Sequence, residues 1–324
     1  MKKLFLMSMA AAALLASCSN DETVEMAQNN KAIGFASFVD KSTKATDVTL
    51  KNLKSIEVYG WRGNDCIFNK QKVDVNSEGV GTYTPLQYWE ANYTYAFEAF
   101  APFDKKSNVS IEAQKGASKI TFTNDAVTDL LYAGVVSKTT DATISSQPDP
   151  VAFTFKHLLS RVKFTFKNTF PADAAAKITV SNVKITNAYT KGEITPATAN
   201  AWTVTDSDNT LGVDFASTDV VDLVAGTGTA ATDHMYLIPV ASPTPSYTVT
   251  FTVTLNQNGA TSNYDHKATI NTGMEMGKSY NFVASLNQGN VTPNPLYPIK
   301  FTATVTNWGD FGNTDITSST TTTE

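Results

Sequence analysis

Short runs in which apolar and polar residues alternate dominate the chain, and they most narrowly limit how it can fold. The clearest of these runs, all rich in Thr, Val, Phe or Tyr, are 55–60, 93–100, 162–167, 247–255 and 301–305. A period of two places successive side chains on opposite faces of a strand, whereas a helix repeats about every 3.6 residues. Turn signals such as Glu78-Gly79 and Asn258-Gly259 separate the runs. The sequence therefore predicts an all-β fold of sandwiches or barrels in which each sheet buries one face.

Two breaks in composition divide the alternating region. The first runs over 141–150 and ends in Ser-Ser-Gln-Pro-Asp-Pro, and the second, 287–298, contains Pro293, Pro295 and Pro298. Proline cannot donate to a strand ladder, so neither break belongs to a central strand. The length of 324 residues suits two domains of ordinary size. We expect an N-terminal β-sandwich over 31–148, a C-terminal β-sandwich over 149–311 and a polar tail over 312–324.

The alternating run after the second break has two interpretations. It is a plain C-terminal edge strand of its own sheet, or it is a strand that adds to the sheet of another molecule. In the second case the donor segment is 299–308. Its side chains that would fill the partner's groove are Ile299, Phe301, Ala303, Val305 and Trp308.

The N-terminus has the order of charges and apolar residues that is typical of a secretory signal peptide. Lys2 and Lys3 precede an apolar run over 4–16, which is too short to span a bilayer. We expect residues 1–17 to be a cleaved leader and residues 18–30, which are mostly polar, to be an unfolded tether.

The end of this leader, Leu15-Ala16-Ser17-Cys18, resembles the lipobox of bacterial lipoproteins. The resemblance implies cleavage after Ser17 and a covalent lipid on Cys18, which would anchor the mature chain in a membrane. The alternative is an ordinary cleavage site followed by a chance cysteine. The other cysteine, Cys66, lies in a strand-like run, and we expect it to be a small buried residue.

Composition and motifs disfavour catalysis, metal binding and nucleic-acid binding. The net charge of -5 opposes phosphate binding, which relies on clustered Lys and Arg. None of the H-E-x-x-H, G-x-S-x-G or G-x-x-x-x-G-K-[ST] motifs occurs. His157, one of three histidines, follows a strand-like run, and we interpret it as a packing residue. We predict no catalytic residue, no metal site and no cofactor other than the lipid on Cys18.

Aromatic residues are concentrated between Tyr83 and Phe103. Their alternation predicts that about half of them lie in the core. If Tyr88 or Trp89 were exposed, either ring could stack on a sugar. This leaves open an alternative function, a monomeric glycan-binding lipoprotein at the cell surface.

Several motifs, in a fixed order behind the lipobox, resemble the fimbrillin family of lipoprotein pilin subunits. The matching stretches are 83–89, 93–102, 129–133, 155–164, 236–239, 277–282 and 305–308. They cover nearly the whole mature chain. The resemblance implies two tandem transthyretin-like β-sandwiches and no enzymatic activity.

The resemblance also implies a mechanism of assembly. A protease would cut after a basic residue, here between Lys44 and Ala45, and would release the leader with the first strand over 33–39. A strand of a neighbouring subunit would then fill the vacated groove. Family members often carry Arg before the Ala, whereas this chain has Lys44, which argues against an Arg-specific protease and leaves a trypsin-like one open. The alternative for Lys44 is an ordinary exposed loop residue.

The function implied is that of a structural subunit of a cell-surface fimbria, which supports adhesion. Its partners would be other pilin subunits, the outer membrane through the lipid, and ligands on host or bacterial surfaces, with no nucleic acid. The location implied is the outer membrane and the fimbrium.

Overall fold

The structure, a computed structural model, describes residues 31–39, 53–103, 107–142, 148–204, 209–215, 220–293 and 296–308. These residues form strands and one 3-10 turn, η1 (Ala172–Ala174). The strands are β1 (Phe35–Val39), β2 (Ser55–Arg62), β3 (Asp65–Val75), β4 (Val80–Thr82), β5 (Thr94–Ala101), β6 (Val109–Glu112), β7 (Lys119–Thr123), β8 (Leu131–Thr139), β9 (Val151–His157), β10 (Ser160–Asn168), β11 (Ala176–Ala188), β12 (Lys191–Ile194), β13 (Leu211–Asp214), β14 (Val220–Val224), β15 (Thr229–Ala231), β16 (Met235–Leu237), β17 (Ser246–Gln257), β18 (Ala260–Asn271), β19 (Lys278–Leu286) and β20 (Phe301–Asn307). The all-β prediction is confirmed. Over the same residues, no helix has the length and apolar character that crossing a membrane requires.

The N-terminal half is a closed barrel rather than the expected open sandwich. Its strands follow the order β1-β4-β3-β2-β5-β8-β9, and β1 closes the barrel by pairing with β9. All neighbours in the barrel are antiparallel except β1 and β9, which are parallel. The barrel interior holds one apolar cluster of residues from 33 to 155.

Two barrel strands are buried on both faces, which differs from the one buried face that alternation predicts. Every residue of β2 except Arg62, and every residue of β5 except Thr94, is buried. The reason is a second layer: β6, β7 and β12 form a three-stranded antiparallel sheet whose Ile120 and Phe122 share a cluster with Tyr59 and Phe100 of these strands. The face that would otherwise meet water is therefore covered.

The C-terminal half consists of two sheets that share one core. One sheet has the order β15-β10-β19-β20 with β16 also on β10, and the other has the order β13-β11-β17-β18 with β14 also on β11. Phe164 and Phe166 of the first sheet contact Phe215 and Phe251 across the core, with ring centroids 4.9 Å and 5.3 Å apart. This arrangement is a β-sandwich, because the inner faces of both sheets bury the same cluster.

Strand pairing changes from the barrel to the sandwich between His157 and Ser160. We expected β9 in the C-terminal half, but its residues 151–155 pair with β1 and its residues 155–157 pair with β8. Conversely, β12 follows the sandwich strand β11 in the chain but pairs with β7 of the N-terminal half. The halves are therefore connected by the link between β9 and β10 and also by β12.

The halves also share a set of buried apolar side chains, which we call the junction cluster. Its members are Tyr59, Trp61, Phe100, Ile120, Phe122, Leu130, Tyr132, Leu158, Leu159, Ile194, Trp202, Tyr236, Ile238 and Trp308.

Candidate functional site

The first strand of the described chain is held on both sides. β1 makes five parallel pairs with β9, from Phe35 with Val151 to Val39 with Phe155, and two antiparallel pairs with β4. Just before it, the Ile33 N–H donates to the Gln87 carbonyl at 2.8 Å. Because β1 alone joins β4 to β9, the barrel would be open along this line without it.

The inward side chains of β1 and its approach fill the barrel core. Ile33 and Phe35 are 1% and 2% exposed. The Phe35 ring lies 5.7 Å from Phe153, stacked, and 5.3 Å and 5.4 Å from Tyr83 and Phe68. Without β1 these rings would face an empty groove, which is costly in water. We call this line between β4 and β9 the β1 groove.

A glycine on β4 allows β1 to approach closely. Gly81 is paired with Phe35, and a Cβ on Gly81 would lie 2.7 Å from a methyl of Val73 and 3.0 Å from the Phe35 Cβ. Any larger residue would push either β1 or β3 away from the core. The groove is therefore narrow on the β4 side.

The last strand lies at the edge of its sheet. β20 makes seven antiparallel pairs with β19, from Phe301 with Ala284 to Asn307 with Lys278, and its other side has no partner strand among the described residues. It is not a central strand held on both sides, so its position is compatible with both interpretations of the sequence.

The side chains that alternate along β20 are buried unequally. Ile299 is buried before the strand begins, Phe301 and Ala303 are half-buried against the sandwich core, and Val305 is 43% exposed. The Phe301 ring contacts Phe164 at 5.2 Å and Phe166 at 5.9 Å. The apolar face of β20 is thus only partly used by its own chain.

Trp308, the last described residue, holds the end of β20 against the junction. Its ring stacks on His157 at 4.1 Å and lies parallel to Tyr236 at 5.6 Å. The Arg161 guanidinium lies 5.1 Å from the ring centre, and its Nη2 donates to the Trp308 carbonyl at 2.5 Å. Trp308 is therefore a firm anchor within its own chain, which the interpretation of it as a free donor residue did not anticipate.

His157 is a packing residue, as the sequence indicated, but with a specific partner. Its Nδ1 lies 2.8 Å from an Asp129 carboxylate oxygen, and both side chains are buried. Since a carboxylate only accepts, the Nδ1 carries the proton. The pair fixes the plane on which Trp308 stacks.

A buried carboxyl beside this region was missed by the sequence reasoning. Glu98 is fully buried on β5 and accepts hydrogen bonds from the Ser118 hydroxyl and, at 3.0 Å, from the Tyr132 hydroxyl. Burial raises the pKa of Glu98, and the two hydroxyl donors oppose that rise. Its position within an aromatic run, on a strand buried on both faces, was the available signal.

Other expectations about single residues have mixed outcomes. Cys18, Lys44 and Ala45 lie outside the described residues. Of the two rings considered as a sugar platform if exposed, Trp89 is fully buried and Tyr88 is 47% exposed. Cys66 is exposed rather than buried, because it lies near the end of the β2–β3 hairpin, where the strands leave the core. The described part of the chain contains no group of three or more His, Cys, Asp or Glu side chains that could hold a metal ion.

Comparison with known proteins decides the family. The family model described as fimbrillin-like matches residues 43–308, which is most of the chain. This chain belongs to the fimbrillin-like family. One curated relative, the fimbrium subunit Fim1C of Phocaeicola vulgatus, is 25% identical over 186 residues. That match covers 48% of this chain and 49% of the relative, so it spans about half of each.

Solved structures share the fold of this fimbrillin-like chain. A fimbrial protein from Bacteroides vulgatus superposes with a TM-score of 0.58 at 15% identity, over 86% of this chain and all of that one. A candidate cell adhesion protein from Bacteroides uniformis gives a TM-score of 0.53 at 17% identity, over 87% and 100%. The chain is therefore a fimbrillin-like protein that is related to a fimbrium subunit and shares its fold with a protein assigned to cell adhesion.

Proposed function

We propose that the protein is a structural subunit of a fimbria that polymerises by strand exchange. In this proposal it is exported as a lipoprotein with lipid on Cys18, resides on the outer membrane, and is cut between Lys44 and Ala45. The cut frees β1, and the β1 groove then receives residues 299–308 of a neighbouring subunit. The partners are other pilin subunits, and the assembled fimbria supports adhesion to surface ligands. The transthyretin-like classification of the two halves belongs to the same proposal.

The observation that carries the proposal is the place of β1 in the barrel. β1 precedes the proposed cut, is a short strand, and is the one strand within the described residues that links β4 to β9. Its removal would leave the β9 backbone unpaired over 151–155 and would expose the ring of Phe153. An unpaired edge beside an apolar groove is a template for a strand from another chain.

Refilling the groove would recover the apolar burial and backbone pairing that β1 provides, while the donor strand would give up its own pairs with β19. Ile33 and Phe35 are buried there, and each large side chain contributes about 1.5–3 kcal/mol on full burial. A donor with Phe301 and Val305 on one face would recover a similar amount and would restore the backbone pairs of β9. Because each subunit would give one strand and receive another, the contact is head-to-tail and yields a filament.

The donor strand can be tested at a position that its own fold leaves exposed. Val305 is 43% exposed, so Val305→Lys should leave the monomer folded while placing a charge in the groove of the next subunit. We expect filaments, counted by electron microscopy after limited proteolysis with trypsin, to fall at least tenfold. Thr302→Lys is the matched control, since Thr302 is exposed on the opposite face of the same strand. Equal polymerisation of both variants would exclude 299–305 as the donor.

The cleavage site can be tested separately. We expect Lys44→Ala to keep residues 31–39 attached after protease treatment and to prevent filament formation, because the groove stays filled. Lys41→Ala, three residues earlier, is the control and should still give a mature N-terminus at Ala45 by N-terminal sequencing. Filaments of unchanged yield from the Lys44→Ala variant would refute this assignment of the cut.

A further inference from the structure

A cleft of about 1120 Å³ lies where the barrel meets the sandwich. We call it the junction cleft. Its lining includes Gly134, Lys156, His157, Asn200, Asn307 and Trp308. Ligand pockets commonly measure about 300–1000 Å³ and often lie between domains, and this cleft is slightly larger than that range. Its lining is contributed by both halves of the molecule, and it is separate from the β1 groove.

Two buried nitrogen atoms on the lining residues have no hydrogen-bond partner among the described residues: the Nε2 of His157 and the Nε1 of Trp308. The two residues are 5% and 4% exposed and stack on each other. A buried polar atom without a partner is unfavourable, so such atoms are rare in folded proteins.

The chemistry of the two atoms specifies what a ligand must offer. Because the Nδ1 of His157 donates to Asp129, its Nε2 accepts when the imidazole is neutral, whereas the Trp308 Nε1–H is a donor only. A hydroxyl group both donates and accepts, so a ligand rich in hydroxyls can satisfy both atoms. A carboxylate has no donor and could satisfy only Trp308.

The remaining lining agrees with a neutral, hydroxylated ligand. The amides of Asn200 and Asn307 add groups that both donate and accept, and Leu158 and Met276 add apolar surface. Lys156 is the one side chain with a formal charge among the lining residues, and it is exposed to solvent. An ionic ligand would meet little complementary charge.

A β-bulge shapes one wall of the cleft. Between the pairs of Phe97 with Val136 and of Ala99 with Ala133, Gly134 and Val135 of β8 oppose the single residue Glu98 of β5. A bulge bends its strand and redirects side chains, and bulges are over-represented beside binding sites. A Cβ on Gly134 would have no atom within 4 Å, so this wall is open towards the cleft.

We propose that the junction cleft binds a neutral oligosaccharide, with hydroxyl groups bonded to the His157 Nε2 and the Trp308 Nε1. The site uses Asn307 and Trp308, which belong to the proposed donor segment, so it is complete in a subunit whose last strand lies on its own sheet.

The test uses the full chain and a panel of cello-, xylo-, malto- and manno-oligosaccharides, with oligogalacturonides as acidic counterparts and a peptide of residues 299–308. Affinities are measured by isothermal titration calorimetry. We expect at least one neutral oligosaccharide to bind, and Trp308→Phe, which keeps an aromatic ring but removes the N–H, to weaken it about tenfold. Gly134→Leu should obstruct the cleft and weaken binding at least as much. The substitution is at an exposed position, so it replaces no buried side chain.

Two controls make the result decisive. Tyr88→Ala removes an exposed ring elsewhere, and Val305→Lys blocks the proposed strand exchange; each should leave the affinity within about twofold. The proposal is overturned if no neutral oligosaccharide binds, if only the acidic sugars or the peptide bind, or if Gly134→Leu binds as well as the unaltered chain. If Tyr88→Ala were the one variant to lose binding, the sugar would bind at the Tyr88 ring rather than in the junction cleft, and the proposal would also be overturned.

Discussion

Glu98 shows how a single residue couples the barrel to its covering layer. Its carboxyl lies on β5, accepts from Tyr132 of β8, and accepts from Ser118 just before β7 of the three-stranded sheet. A buried group that satisfies donors from two layers fixes their relative position. Its ionisation therefore affects the packing of the barrel against the outer sheet.

The stability of the chain should depend on pH through Glu98. Burial raises the pKa of Glu98 in the folded state above the ordinary value of 4.5, which applies to the unfolded state. At pH values between the unfolded-state pKa and the folded-state pKa, the folded state therefore binds more protons than the unfolded state. The free energy of unfolding therefore falls as pH rises through that interval, and it is greatest below it. We expect Glu98→Gln, which cannot ionise, to lose this dependence, so that its stability relative to the unaltered chain improves as pH is raised from about 4.5 to about 7.

Urea unfolding at several pH values measures this difference, since both proteins can be compared at each pH. Glu112→Gln, on the neighbouring β6, is the control because Glu112 is exposed. A stability difference between Glu98→Gln and the unaltered chain that stays constant with pH would contradict the prediction.

At the scale of elements, β1 is the most consequential strand because it closes the barrel. We expect Phe35→Ala in the uncut chain to lower the free energy of unfolding by about 3–5 kcal/mol, the usual cost of truncating a buried Phe. The ring contacts Phe68, Tyr83, Phe97 and Phe153, so its loss would leave a cavity at the centre of the barrel cluster.

Val80→Ala on the adjacent β4 is the matched control. Val80 is 49% exposed, and its truncation should change the stability by less than about 0.5 kcal/mol. Chemical denaturation of the unaltered chain, Phe35→Ala and Val80→Ala under the same conditions measures the free energy of unfolding of each. If Phe35→Ala were no more harmful than Val80→Ala, β1 would not be seated in the barrel as described.

The elements themselves could be predicted from the sequence, but their partners could not. Alternation located strands β5, β10, β17 and β20 because the period of two is a local property. The parallel pairing of β1 with β9 and the pairing of β12 with β7 join residues far apart in the chain, and no local pattern encodes them. Glu98 was missed for the same kind of reason, since a second layer covers the strand face that alternation assigns to solvent.

At the scale of the whole molecule, the two halves are joined by more than a linker. The junction cluster takes side chains from both halves, β12 pairs across the boundary, and the Trp202 Nε1–H donates to the Leu158 carbonyl at 2.8 Å. Domain interfaces that are large and apolar hold domains in a fixed relation, whereas small polar ones allow motion. A fimbrial subunit bears load along its length, and a rigid junction would transmit it.

This junction predicts that the halves unfold together. We expect one calorimetric transition for the unaltered chain and two for Ile194→Asp, because Ile194 is 3% exposed in the junction cluster and an unpaired buried carboxylate is strongly unfavourable. Lys191→Ala, at an exposed position of the same strand, should keep the single transition. The prediction would be contradicted by two transitions in the unaltered chain whose midpoints Ile194→Asp does not move. The halves would then unfold independently, and the contacts of the junction cluster would not couple their stabilities.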